Sequence, residues 1–143
     1  MFGIFGGKPN DGPPNNVGEA KRLIDRLGQS RGGEIIRAGA MSGNPFCQIF
    51  LSQAALFIST EKRNTKIQHD LEIFTEMAAK SGDAGSQFNL GKLYMAKIDA
   101  SAEYLDHDDI ENIKNAKHWY GMAARQGLRE AKDSLKNLEV FDF

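Results

Sequence analysis

The sequence predicts an all-α fold, an α-solenoid of stacked antiparallel helix pairs with about seven helices. Three observations carry that expectation. A glycine turn recurs: Gly43, Gly82 and Gly127, spaced 39 and 45 residues apart, each end one helical pattern just before another begins. Side-chain size repeats around these glycines, with alanine three positions before (Ala40, Ala79, Ala124), a small residue four after (Cys47, Ser86, Ala131) and leucine eight after (Leu51, Leu90, Leu135). Apolar residues otherwise recur at helical spacing, and no stretch alternates as a strand does. A period in this range with matched positions is the signature of a helical repeat.

The alanines follow from that geometry. Two antiparallel helices joined by a tight turn come closest beside the turn, so small side chains belong there. The glycine supplies the left-handed backbone that ends the first helix. Leucines and aromatics further out fill the wider gap, Leu93 and Tyr94 in the second unit, Trp119 and Tyr120 in the third.

Each element has its own signal. Residues 1–16 hold four glycines and three prolines and predict a flexible N-terminal tail. Asn16 caps a first helix, VGEAKRLIDRLG, with Ala20, Leu23, Ile24 and Leu27 on one face. A second helix covers about 33–42. Asn44 as N-cap and Pro45 at the first helical position open a third, to about Ser59. TEKRNT is a polar connection to a fourth, about 66–80, and Asp83 caps a fifth, to about Ala96. A long polar loop leads to a sixth, capped by Asp109 or a neighbour and ending near Arg125. The last helix spans about 129–138, leaving 139–143 as a C-terminal tail. The helical-repeat domain is therefore 17–138.

These motifs resemble the Sel1-like repeat, a relative of the tetratricopeptide repeat. An LG-x-x-Y segment is met by Leu90, Gly91 and Tyr94. An A-x-x-WY-x-x-AA segment is met by Ala116, Trp119, Tyr120, Ala123 and Ala124, followed by Gly127 and Ala131. The match covers 70–138. It is degraded over 32–57, where Ser52 replaces the glycine and Phe57 or Ala55 stands in for the tyrosine. The link from Tyr94 to Ala116 is longer than the family's and has no glycine. The resemblance implies an α-solenoid, a protein-binding role and no catalytic residues.

Composition narrows the classes further. Formal net charge is −1 and charged residues make up 26% of the 143, so no basic field favours nucleic acid. No apolar run approaches the roughly 18 residues that span a bilayer. MFGIFGG lacks the basic region and length of a signal peptide, so a cytoplasmic protein is expected. Cys47 is the only cysteine and sits at a core-type position, which predicts a packed thiol. His69, His107 and His118 have no partner at the spacing of a helical zinc motif. Asp106, Asp108 and Asp109 in DHDD read as acids favouring a helix N-terminus. No phosphate loop or nucleophile elbow is present. No catalytic residue, cofactor or metal is expected.

Positions +3, +7, +10 and +14 from each glycine share one helical stripe, the surface a helical solenoid offers as a groove. They are Phe46, Phe50, Gln53 and Phe57, then Gly85, Asn89, Lys92 and Ala96, then Glu130, Ser134, Asn137 and Phe141. Phe50, Gln53, Phe57, Asn89 and Lys92 are the candidate partner-binding residues. The competing reading covers the phenylalanines with the first helix or with Phe2, Ile4 and Phe5. The expected function is a non-catalytic module, adaptor or regulator, that holds a protein or peptide partner in this groove. The alternative is an immunity-type inhibitor of a toxin or enzyme, with the 97–111 loop as its plug.

Overall fold

The computed structural model describes residues 14–58 and 60–143. Among them are six α-helices and no strand: α1 Val17–Met41, α2 Pro45–Leu56, α3 Thr65–Lys80, α4 Ala84–Met95, α5 His107–Arg125 and α6 Arg129–Asn137. Short 3-10 turns occupy Thr60–Lys62 and Leu138–Val140. The chain divides into two compact units, Met1–Ala78 and Ala79–Phe143. Adjacent helices pair within them, α1 with α2 in the first, α4 with α5 and α5 with α6 in the second.

The first two expected helices share the span Val17–Met41, in which two helical stretches meet at a kink at Gly28. GQSRGG, read as a break, is helical except at Gly28 (φ 85°, ψ 165°). A Cβ on Gly32 would stand 3.0 Å from the Ile24 Cα and the Leu23 carbonyl. In a straight helix residues eight apart are about 12 Å apart, so α1 folds back on itself at Gly28. The fold-back brings Ala20 and Leu23 into one core with Ile36, Ala40, Cys47 and Phe74.

The three expected turns carry positive φ, 98° at Gly43, 104° at Gly82 and 95° at Gly127. No atom lies within 4 Å of where their Cβ would be, so glycine is needed there for backbone conformation alone. Asn44 caps α2 through Phe46 N and Cys47 N, and Asp83 caps α4 through Ser86 N. Leu128, in the third copy of that position, makes no side-chain cap.

Burial repeats around the turns. Seven positions before each glycine stand Ile36, Thr75 and Tyr120, and four before stand Gly39, Ala78 and Ala123, all buried. The small residues four after, Cys47, Ser86 and Ala131, are buried too. Of the leucines only Leu90 is fully buried; Leu51 and Leu135 are half-buried. The closest approach in the first pair uses Gly39, whose added Cβ would meet the Cys47 sulfur at 2.6 Å. In the third copy Ala123 takes the buried place and Ala124 is half-buried.

Most of the expected N-terminal tail, 1–16, carries no structural description. Residues 1–13, with Phe2, Ile4 and Phe5, lie outside the described residues. Pro14 is buried, and Asn15 N and Asn16 Oδ1 both bond to Glu19. At the other end Leu138 is buried and Phe141 packs on the second unit's core of Ala116, Tyr120 and Leu138. Lys117 Nζ donates to the Phe141 carbonyl at 2.7 Å.

Candidate functional site

The candidate residues fall on two faces, one per unit. In the first unit they lie along α2. Phe50 is half-buried and packs against the core that α1, α2 and α3 share, so part of the stripe is taken by the chain's own interior. Gln53 is exposed. Phe57, the C-cap of α2, is 94% exposed. Arg63 holds the chain just beyond α2, donating from Nε to the Ile58 carbonyl (2.9 Å) and from Nη2 to that of Leu56 (3.3 Å).

In the second unit they lie along α4. Asn89 is half-buried and Lys92 exposed, its ammonium 4.7 Å from the centre of the Phe88 ring. Phe88 tilts against Tyr120, ring centres 5.6 Å apart, so a chain of ring contacts runs from the core to the Lys92 charge. Phe141, placed on the third stripe by its spacing, is spent on the core. Trp119, expected in the core, is half-buried with the exposed His118 ring edge-on at 5.0 Å; Tyr120 fills the core instead.

Beneath these faces a glutamine ties each of the first two turns. Gln48 Nε2 donates to the Ala40 carbonyl (3.0 Å) and Gln87 Nε2 to that of Ala79 (3.2 Å), the same bond eight residues back in both copies. Gln126 Nε2 bridges Gln87 Oε1 and the Gly82 carbonyl, each at 2.8 Å. Gln48 Oε1 is buried without a hydrogen-bond partner among the described residues. These glutamines escaped the sequence reading; the shared place of Gln48 and Gln87 five residues after the glycine was the available signal.

A second pairing explains the degraded motif. A Cβ on Gly91 would stand 2.5 Å from the Tyr120 ring, so the glycine of the LG segment is the socket for the tyrosine of the WY segment. In the first unit the matching positions are Ser52 and Thr75, and their hydroxyls meet at 2.6 Å, both buried. Ser52 replaces glycine where threonine replaces the ring.

Residues 97–111 carry one lysine and six acids, net −5 on a chain of net −1, but the expected loop ends at Asp106: 107–111, with Asp108, Asp109 and Glu111, form the first turn of α5. Asp106 and Asp109 bond each other's backbone N–H in a capping box opening α5. Asp99 accepts from Ser101 N and Oγ, and these bonds hold its carboxyl below the usual range. Tyr104 is 79% exposed, with Leu105 beside it also exposed. Among the described residues no three histidine, cysteine or acidic side chains gather as a metal cluster.

One groove has the mixed polarity of a small-ligand site. Glu34, Arg37, Met41, His69, Asp70 and Phe74 line about 440 Å³ between α1 and α3. Its cation is already matched, since Arg37 forks onto Asp70 at 2.9 and 3.3 Å. Those bonds, ahead of a smaller opposing effect of burial, raise the Arg37 pKa.

No family model, curated protein or solved structure matches this chain. The described helices include none long and apolar enough to cross a membrane.

Proposed function

We propose that the chain is a Sel1-like helical-repeat protein whose helix pairs form a solenoid, and that it acts as a non-catalytic protein-interaction module. A protein or peptide partner is held on the α2 face by Gln53 and Phe57, and on the α4 face by Asn89 and Lys92. The observation that carries the reading is Phe57. A phenylalanine 94% exposed beside polar groups free of core packing fits a surface that a partner covers. Phe50 then supports the face from below. The recurrent glutamine tie and the Gly91–Tyr120 socket fit a repeat built to present such faces on a fixed frame.

The test is quantitative capture from a native lysate with three variants: Phe57→Ser, the pair Asn89→Ala with Lys92→Ala, and the pair Tyr104→Ser with Leu105→Ser. The reading expects one captured protein to be depleted by the first two variants while all melt as the parent does. Capture indifferent to both would overturn it. Loss through the loop pair alone favours the second reading, an immunity-type inhibitor, which the exposed Tyr104 and Leu105 in an acidic loop support. An inhibitor should bind at nanomolar strength or below and a regulator near micromolar. Asp106 and Asp109 are left intact because they cap α5.

A further inference from the structure

The groove between α1 and α3 lies wholly within the first unit, apart from the α2 and α4 faces. Its α1 wall is the stripe Glu34, Arg37, Ala38 and Met41, at the i, i+3, i+4, i+7 spacing of one helix face. Its α3 wall carries Asp70 and Ile73 beside the buried Phe74.

Arg37 is the platform of this groove. Its guanidinium carbon stands 5.1 Å from the centre of the Phe74 ring, and its two terminal nitrogens fork onto Asp70. One face and one edge are thereby fixed, while 49% of the side chain is exposed, which leaves the opposite face turned to the groove. A guanidinium plane held in this way stacks on an aromatic ring with little rotamer freedom left to lose. Met41, one turn further along α1 and 64% exposed, adds a thioether, which packs well against a ring edge.

Charge sets the other end. Arg37 and Asp70 cancel. Glu34, one turn before Arg37, is exposed and meets no cation at ion-pair distance among the described residues. On the formal count, with histidine neutral, the groove keeps one negative charge, at Glu34. Residues three apart on a helix stand about 5–6 Å apart at Cβ, close to the span from ring centre to nitrogen in an arylethylamine. The hollow, about 440 Å³, is of small-molecule size.

We propose that this groove binds a small arylethylamine cation, its ring stacked on Arg37 beside Met41 and its ammonium on Glu34. The site is separate from the partner-binding faces and stands or falls without them.

The test is an amide-resonance titration of the full chain with phenethylamine and with two analogues that each lack one feature. Phenethyl alcohol keeps the ring without the charge, and cyclohexylethylamine keeps the charge without the aromatic ring. The expected result is saturable shifts centred on Arg37, Met41 and Ile73, with a dissociation constant on the order of 1 mM. The alcohol should bind about two- to fivefold more weakly, the worth of an exposed charge pair. The saturated amine should also bind about two- to fivefold more weakly, for want of the stacked ring. Glu34 is exposed, so Glu34→Gln keeps the fold, and in it the amine and the alcohol should bind alike. No saturable shift in this groove would overturn the proposal. So would equal binding of either analogue to the parent, or a preference for the amine that survives in Glu34→Gln. Tighter binding of a peptide bearing phenylalanine next to lysine than of the free amine would overturn it in favour of a partner segment. Shifts at the same amides on concentrating the protein alone would overturn it in favour of a second copy.

Discussion

At Gly91 a hydrogen stands where any other residue would put a carbon into the Tyr120 ring. Gly91→Ala should therefore cost about 1–3 kcal/mol, the range for overpacking, read as a lower melting temperature with helical signal retained. Gln87→Ala removes a donor to the Ala79 carbonyl, which keeps its bond from Gly82 N, and an acceptor for Gln126, which keeps its bond to the Gly82 carbonyl, so two bonds worth about 0.5–1.5 kcal/mol each are lost. Gln48→Ala removes one bond only, since the Ala40 carbonyl still accepts from Gly43 N, and should cost less in the same thermal melts; an equal or greater loss would show that Gln48 Oε1 is also engaged. Tyr120 carries a pH signature. Burial raises its phenol pKa, so the folded chain holds the proton more tightly than the unfolded one, which titrates near pH 10. The associated stability is present below about pH 10 and is lost as pH rises through the folded value. Between about pH 8 and 11 the melting temperature should fall more steeply for the parent than for Tyr120→Phe.

At the scale of the element the turns decide. Gly82 sits at φ 104° with open space around it, so a side chain there meets backbone strain rather than a neighbour. Gly82→Val should cost about 1–3 kcal/mol, and unchanged thermal stability would refute this turn geometry. Asp83→Ala should cost about 1 kcal/mol, the usual loss of a helix cap, since Asp83 accepts from both Ser86 N and Ser86 Oγ. The turns were legible in the sequence because φ>0 demands glycine and the next helix demands a cap, both local requirements. The break at Gly28 was legible too, since the first expected helix ends there; that it spans a single residue was not. Its flanks, GQSRGG, read as a break of several residues, yet one glycine is enough when Gly32 lets Leu23 and Ile24 approach its backbone.

For the molecule as a whole, charge is uneven: residues 97–111, the loop and the first turn of α5, are strongly acidic on a nearly neutral chain. Exposed charges act within a Debye length of about 8 Å at physiological salt. If the loop is the binding element, association should therefore slow as salt rises. Binding through Phe57, an uncharged ring, should be nearly insensitive to salt. Measuring the association rate of a captured partner at two salt concentrations separates the two faces. The Arg37–Asp70 pair should contribute little either way, since Arg37 is half exposed and such pairs are worth about 0–1 kcal/mol.

The sequence by itself determined the helical class, the three glycine turns and the Asn16, Asn44 and Asp83 caps, because those depend on neighbours within a few residues. It also placed Cys47, Ser86 and Ala131 in the interior, since small residues beside a turn have one use. Tertiary structure alone decided which aromatics the core takes. Tyr120 entered because Gly91, far off in sequence, leaves room for it, whereas its neighbour Trp119 stayed half-buried. Phe50 was drawn onto the first unit's core while Phe57, seven residues on, was left in water. Both sit at equivalent helical spacing, and spacing fixes only the direction a side chain points. What lies in that direction depends on where the chain returns, here the reversal at Gly28 and the docking of Phe141, and no local pattern encodes that distance.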